Sequence, residues 1–274
     1  MEYKKAINNQ YGQSDLGTKI LAALQSKGID TAKLIQETLA PFEELHLRGR
    51  SSTIELAQEV GLTEKMNVLD IGCGIGGPAR TLVSKFGCNV TGIDICDEFC
   101  RAADLINERL GYTENIEIRQ GDALDMPFNS NNFDIIFIQH VSMNIKNKER
   151  LFSEIYRLLR PKGRLAINTI CAGSIEPIHF PVFWANTPSI SFLSLPNDLR
   201  HIIGENGFKE LSWTDNTKKI IAVIENWRPK DRSTKPRPFS VELIHANFSE
   251  KRKNGTRNLK EGRTVLIQAV FERD

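Results

Sequence analysis

Short apolar segments alternate with amphipathic segments through the middle of the chain. Val, Ile, Leu and Phe dominate five strand-like runs, at residues 66–71, 89–94, 116–120, 133–139 and 164–169. The intervening stretches predict helices at residues 79–86, 97–110 and 148–160. Strands that are apolar on both faces and alternate with helices predict a parallel sheet covered by helices, which is an α/β fold.

The segment before this core has a helical pattern. Residues 14–61 predict several helices, the first capped by Ser14 or Asp15. Another helix is expected at residues 51–60, packed under the sheet.

The segment after the core predicts a mixture of elements. Helices are expected near residues 196–206 and 218–227, and strands at 208–213 and 264–272. Residues 228–263 are strongly basic and polar, which favours a solvated surface insertion. We expect that insertion to contain a helix near residues 241–251.

A glycine-rich turn directly follows the first predicted strand. Residues 68–77 read Val-Leu-Asp-Ile-Gly-Cys-Gly-Ile-Gly-Gly, and Pro78 suits the first turn of a helix. Gly72, Gly74 and Gly77 have the G-x-G-x-x-G spacing of a dinucleotide-binding turn, which lets a ligand approach the backbone closely. Asp70 argues against a dinucleotide, because its carboxylate would face the anionic pyrophosphate. It suits a ligand with an ammonium group and no phosphate, such as the aminobutyrate end of S-adenosylmethionine.

The D-x-G-x-G-x-G pattern that begins at Asp70 resembles the first motif of the class I methyltransferases, which use S-adenosylmethionine. The resemblance covers residues 11–225. It is strongest to enzymes of small metabolites, in ubiquinone and menaquinone biosynthesis, sarcosine/dimethylglycine N-methylation and phosphoethanolamine N-methylation. It implies a Rossmann-like, seven-stranded, mostly parallel sheet with helices on both faces, an N-terminal helical lid and a cap insertion. The expected reaction is transfer of a methyl group to a nitrogen, carbon or oxygen atom of a small molecule.

This resemblance divides the chain into expected parts of one methyltransferase domain, residues 1–274. Residues 1–62 would form the helical lid, and residues 63–228 the cofactor-binding core with a cap at 171–195. Residues 229–274 would hold the basic insertion and the last strand.

The candidate cofactor residues lie where the predicted strands end, since ligands of open α/β sheets bind at the carboxyl ends of the strands. Asp94 is placed to accept hydrogen bonds from the ribose hydroxyls, and a helix cap is the alternative. Asp122 and Ala123 resemble the adenine-edge motif of the family, although Asp122 also suits a turn. The complete set is Asp70, Gly72, Cys73, Gly74, Gly76, Gly77, Asp94, Ile95, Asp122, Ala123, Gln139 and Arg48.

Three of these positions have individual expectations. Arg48 would pair with the carboxylate of the cofactor, because a guanidinium matches a carboxylate in a bidentate way; a surface arginine is the alternative. Gln139 would meet the methionine end of the cofactor. Cys73 is expected to be a small filler residue in the turn.

Candidate catalytic and acceptor residues follow the fourth strand and lie in the flanking segments. His140 either takes a proton from the acceptor or is a packed structural histidine, since imidazole titrates near neutrality. Tyr11 resembles a lid tyrosine of the phosphoethanolamine enzymes, and the alternative is a solvent-facing residue. The catalytic histidine of those enzymes falls near Met143, so their dyad does not carry over. Met143, Phe183 and Trp184 are candidates for the acceptor wall.

Composition and charge limit the kinds of partner that we expect for this chain. The 274 residues are 40% hydrophobic, with a formal charge of +2, which indicates no nucleic-acid partner. No apolar run approaches the ~20 residues of a membrane helix. The five cysteines include no C-x-x-C pair, which favours reduced thiols and no metal site. The N-terminus has no apolar signal core, which favours a cytoplasmic protein. We expect a monomer or homodimer.

Three alternatives stay open. A methyltransferase of RNA or protein remains possible because of the basic segment 228–263, despite the modest net charge. The fold can also persist in a non-catalytic cofactor-binding relative. An NAD(P)-dependent reductase is the most remote alternative, because Asp70 opposes it.

Overall fold

A computed structural model describes residue 7 and residues 14–44, 49–226 and 246–274. Its centre is a seven-stranded sheet in the order β3-β2-β1-β4-β5-β7-β6. The first five strands are parallel, and β7 runs antiparallel between β5 and β6. The strands are β1 (Asn67–Ile71), β2 (Asn89–Asp94), β3 (Ile116–Gln120), β4 (Phe133–Gln139), β5 (Leu159–Ala172), β6 (Phe208–Asp215) and β7 (Thr264–Arg273).

Nine α-helices lie among the described residues. They are α1 (Leu16–Gln25), α2 (Gln36–Glu43), α3 (Arg50–Glu59), α4 (Gly77–Phe86), α5 (Asp97–Leu110), α6 (Lys148–Leu158), α7 (Pro196–Glu205), α8 (Thr217–Asn226) and α9 (Phe248–Lys260). Short 3₁₀ turns occur at Thr31–Lys33, Ser142–Asn144 and Pro188–Ile190. The expected Rossmann-like α/β fold with a mostly parallel sheet is confirmed.

Apolar side chains cover both faces of the sheet. One core joins the sheet to α6 and α7, for example through Ile136, Phe152 and Leu199. The other joins it to α3 and α4, for example through Leu56 and Leu82. Burial on both faces explains why the central strands read as continuous apolar runs.

The fifth strand is longer than its pattern predicts. Pro161 and Gly163 suggested a turn that separates helix and strand, but β5 already begins at Leu159. Pro161, Lys162 and Gly163 lie in an irregularity inside the strand, between the pairs Phe133–Leu159 and Ile135–Arg164. Lys162 adopts a left-handed φ of 63° there. Residues that local propensity assigns to a loop therefore lie in an irregularity of an interior strand, since β5 pairs with both β4 and β7.

Two other local expectations need correction. The helix expected near residues 241–251 is α9, which begins at Phe248 and ends at Lys260. Its Leu259 lies in one apolar cluster with Ile220 and Leu266, and residues 241–245 lie outside those described. Asp15 stands at the N-cap of α1, but no side-chain cap forms there. Instead, Glu98 of α5 accepts the Leu16 N–H at 2.8 Å.

Within the described ranges, no helix is both long enough and apolar enough to cross a membrane.

Candidate active site

One cavity of 1320 Å³ runs along the carboxyl edge of the sheet. Its wall includes Asp70, one residue before the end of β1, and Asp94 at the end of β2. Asp122 follows β3, and His140 follows β4. The topology thus brings together residues that are far apart in sequence, because parallel strands end at the same edge.

The glycine turn after β1 forms the floor of this cavity. Gly74 has a left-handed φ of 54°, and a Cβ added there would meet no atom within 4 Å, so its backbone is open to a ligand. Gly77 is different: a Cβ there would lie 2.2 Å from the carbonyl oxygen of Glu43. The turn therefore exposes backbone on the cavity side and admits close packing of α2 on the other.

Asp70 has an unusual environment. It is 1% exposed, and among the described residues its Oδ2 has no hydrogen-bond partner. Burial, together with the nearby carboxylates of Glu44 and Asp94, raises the pKa of Asp70 to about 8. A buried carboxylate with carboxylate neighbours favours a cation beside it.

Asp94 connects the first two strand ends. Its Oδ2 accepts the Gly74 N–H and its Oδ1 accepts the Cys96 N–H, both at 2.9 Å. Burial raises the pKa of Asp94, while these backbone donors lower it. Each carboxylate oxygen keeps a further lone pair for a ligand hydroxyl. The cap-like bond to Cys96 and the predicted ribose role are therefore compatible.

The end of β3 forms the next part of the wall. Asp122 Oδ1 accepts the Leu124 N–H at 3.0 Å, which is the turn geometry weighed as its alternative. Ala123 and Ile95 line the cavity beside it. Gly76 and Cys73 belong to the turn itself; Cys73 is 2% exposed, and burial, with nearby carboxylates, raises the pKa of its thiol.

A buried charge network holds the turn in place. Arg80 of α4 is fully buried; it donates to Glu43 Oε2 at 2.8 Å and to the Ile75 carbonyl inside the turn at 2.8 Å. Its Nη1 donates to Asn107 Oδ1 at 2.8 Å. Glu44 accepts hydrogen bonds from the hydroxyls of Thr53 and Thr81. This network fixes two carboxylates, Glu43 and Glu44, on the cavity wall.

His140 and Gln139 lie at the end of β4, and both line the cavity. His140 has a left-handed φ of 55°, and its backbone N–H donates to the Asn168 carbonyl at 2.7 Å. Gln139 is 7% exposed, and its amide lies 3.5 Å from Thr53 Oγ1. The strained backbone at His140 turns the chain out of the sheet toward the site.

The three acceptor-wall candidates also line the cavity. Trp184 is 3% exposed, and its indole N–H donates to Ser191 Oγ at 2.9 Å. The buried Met143 lies in the same apolar cluster as Trp184, and Phe183 packs edge-to-face on Phe248. Their roles toward a substrate stay predictions.

Two predicted site residues, Tyr11 and Arg48, lie outside the described residues. Conversely, the sequence interpretation missed Glu43, Glu44 and the cavity-facing sides of α8 and α9. No local motif marks the two glutamates. The apolar spacing of Ile220, Val223 and Ile224 was visible, but nothing in it indicated what it faces.

Comparisons with known proteins agree with this geometry. Residues 69–167 match the family model described as a methyltransferase domain. A sterol 24-C-methyltransferase of Gibberella zeae is 38% identical over 108 residues, 39% of this chain and 28% of the relative. A phosphoethanolamine N-methyltransferase of Plasmodium falciparum is 35% identical over 130 residues, 47% of this chain and 48% of the relative. The chain thus spans less than half the length of these curated relatives.

Solved structures share the fold across the whole chain. Phosphoethanolamine N-methyltransferase 2 of Haemonchus contortus, in complex with S-adenosyl-L-methionine, has a TM-score of 0.71 at 20% identity, covering 100% of this chain and 60% of that one. Geranyl diphosphate C-methyltransferase of Streptomyces coelicolor has a TM-score of 0.71 at 15% identity, covering 100% and 99%. Residues 69–167 therefore resemble a methyltransferase domain, and the chain as a whole has the fold of the methyltransferases in these two solved structures.

Proposed function

We propose that this protein transfers a methyl group from S-adenosylmethionine to a small-molecule acceptor. The observation that carries the proposal is the buried Asp70 carboxylate, whose Oδ2 faces no donor among the described residues and whose neighbours include Glu44 and Asp94. An ammonium group beside these carboxylates would satisfy them, whereas a pyrophosphate would be repelled. This charge pattern favours the sulfonium cofactor over NAD(P).

The remaining wall suits the other parts of that cofactor. Asp94 offers carboxylate lone pairs to the ribose hydroxyls, and Asp122 with the Ala123 N–H offers an acceptor and a donor to the adenine edge. Gly74 leaves its backbone open for close approach. When bound, S-adenosylmethionine would supply a methyl group on a positively charged sulfur, and the acceptor atom would displace that sulfur in line.

The contribution of the chain is positioning and exclusion of water. An in-line displacement with a neutral leaving group needs little covalent chemistry from the protein. Holding the two reactants in line is worth ~7–11 kcal/mol. His140, which follows β4 at the carboxyl edge of the sheet, takes the proton of the acceptor or orients the acceptor. We also propose a cytoplasmic location, since the five cysteines are free and buried, and a monomeric or homodimeric state.

Calorimetric titration with S-adenosylmethionine, S-adenosylhomocysteine and NADH tests the proposal. We expect saturable binding of the two sulfur ligands and none of NADH. Binding of NADH alone would support a reductase instead. Absence of methyl transfer to any amine, phenol or apolar acceptor, despite cofactor binding, would support a non-catalytic relative.

A further inference from the structure

The cavity extends well beyond the candidate cofactor residues. It reaches from the end of β3 to Thr264 at the start of β7, five strand spacings apart or roughly 24 Å. Its 1320 Å³ exceeds the roughly 300–1,000 Å³ of a typical small-ligand pocket. Except for Arg48, which is not described, the candidate cofactor residues lie at the carboxyl ends of β1 to β4 or in the turns that follow them. The other half, over β5 and β7, is here named the acceptor chamber.

Two helices outside the family match form the walls of the acceptor chamber. From α8, the wall includes Ile220, Val223 and Ile224, and from α9 it includes Phe248 and Leu259. Phe248 packs edge-to-face on Phe183 of the loop at residues 173–195, the cap loop, whose Trp184 also lines the cavity. The chamber is therefore enclosed mainly by branched aliphatic and aromatic groups.

The charged residues that line the chamber disfavour a cationic acceptor. Among the described lining residues, α8, α9 and the cap loop contribute no carboxylate, and α9 contributes Arg252. The carboxylates of the cavity lie near the glycine turn and the ends of β2 and β3, with Glu149 as the remaining one. An ammonium group in the chamber would lose its hydration without gaining a counter-charge. A hydrocarbon body loses nothing by leaving water there.

Hydrogen bonds connect α9 to the cap loop in the wall of the chamber. The fully buried Asn258 of α9 makes two bonds to one residue of the cap loop: its Nδ2 donates to the His179 carbonyl at 3.0 Å and its Oδ1 accepts the His179 N–H at 2.9 Å. Asn254 donates to the Pro181 carbonyl at 3.0 Å. Val223 lines the cavity while 47% exposed, so the apolar surface continues toward solvent.

From these observations we propose that the methyl acceptor carries a bulky hydrocarbon body, which occupies the acceptor chamber between α8, α9 and the cap loop. The inference rests on the proposed function, because it assigns the rest of the cavity to the cofactor. The reacting atom of the acceptor lies toward His140, where the two halves of the cavity meet.

A homologous series of alcohols tests the proposal directly. Hexanol, octanol and decanol are each titrated into protein that is saturated with S-adenosylhomocysteine and loaded with the fluorescent probe 1-anilinonaphthalene-8-sulfonate. The affinity of each alcohol is measured from its displacement of the probe. We expect affinity to rise about fourfold for each added methylene, as full burial of hydrocarbon requires. Affinity independent of chain length, or displacement by ethanolamine but not by decanol, would overturn the proposal.

Two glycines provide a matched pair of variants. A Cβ at Gly255 of α9, on the cavity wall, meets no atom within 4 Å, and the same holds for the exposed Gly204 of α7, which is not on that wall. We expect Gly255→Phe to weaken decanol binding by about tenfold or more, since the ring would occupy part of the chamber. Gly204→Phe should leave it unchanged.

Measurement of cofactor binding distinguishes failure of the acceptor assignment from failure of the proposed function. Calorimetry with S-adenosylhomocysteine should give the same affinity for the wild type, Gly255→Phe and Gly204→Phe. Equal decanol affinity in all three proteins would overturn the acceptor assignment while the cofactor assignment stands. Failure of the wild type to bind S-adenosylhomocysteine would instead overturn the proposed function.

Discussion

Arg80 and Glu43 form an ion pair of 2.8 Å in which both side chains are shielded from solvent. Arg80 lies in the helix that follows the glycine turn, and Glu43 ends α2, 37 residues earlier. Because Arg80 also donates to the Ile75 carbonyl, the pair connects the N-terminal helices to the turn that carries the cofactor candidates. Stability and cofactor affinity are therefore expected to depend on the same contact.

Removal of Arg80 should be strongly destabilising. Arg80→Leu leaves the Glu43 carboxylate buried without its main partner, which costs about 3–5 kcal/mol of unfolding free energy. Arg101→Leu is the matched control, since Arg101 pairs with Asp97 at 2.8 Å but is 66% exposed, and such a pair is worth about 1 kcal/mol or less. Urea unfolding measures both. Equal losses in the two variants would contradict the structural role of the buried pair.

The contribution of Asp70 to the stability of the ligand-free protein should fall as pH rises from about 4 to 8. The folded pKa of Asp70, about 8, lies above its ordinary 3.8, so the folded state binds more protons between these values. Its contribution to stability is complete below the lower value and lost as pH rises through the upper one. Asp70→Asn should flatten this dependence and weaken S-adenosylhomocysteine binding. Thermal unfolding from pH 5 to 8 measures the first effect and calorimetry the second.

Asp198→Asn serves as the control for Asp70→Asn, because Asp198 is an exposed carboxylate of α7. It should leave both the pH dependence and the cofactor affinity as in the wild type. An Asp70→Asn variant with an unaltered pH slope would mean that the carboxyl titrates normally.

Asp94→Ala should weaken cofactor binding about tenfold to 150-fold, the equivalent of a lost charge-assisted hydrogen bond of about 1.5–3 kcal/mol. The variant should still fold, although Gly74 and Cys96 lose the acceptor of their N–H groups. Asp94→Asn retains an acceptor oxygen and should bind with intermediate affinity. Calorimetry with S-adenosylhomocysteine ranks the three proteins, and equal dissociation constants would rule out the ribose assignment.

His140→Asn should lower kcat by about 10²-fold or more, as expected for loss of a positioned proton acceptor. Asparagine is chosen because it tolerates the left-handed backbone at this position. Affinity for S-adenosylhomocysteine should not change. His201→Asn, at an exposed position of α7, is the control. A normal kcat in His140→Asn would leave His140 a structural residue.

Most of the sheet could be predicted from local sequence pattern. The bounds of β2, β3 and β4 coincide with the predicted apolar runs, because central parallel strands must be apolar on both faces. The glycine turn and Asp70 were recognisable for a similar reason: a tight turn that approaches a ligand restricts residue type over a few consecutive positions. Such short-range constraints are visible without knowledge of the fold.

Other features depended on contacts between distant segments. The irregular start of β5 and the position of α9 follow from pairing with β4 and packing on α8, which no local spacing encodes. Glu43 and Glu44 belong to no sequence motif. They lie at the cavity because Glu43 accepts a hydrogen bond from Arg80 and Glu44 accepts hydrogen bonds from two threonine hydroxyls.

The sequence by itself determined the central strands and the glycine turn, because each depends on residues that are close neighbours in the chain, and it led to the prediction that Asp70 favours an ammonium ligand. Only the tertiary structure decided which carboxylates surround Asp70 and which apolar faces enclose the rest of the cavity. Burial, pKa and cavity shape are properties of segments brought together across the sheet, and they exist only once the chain has packed.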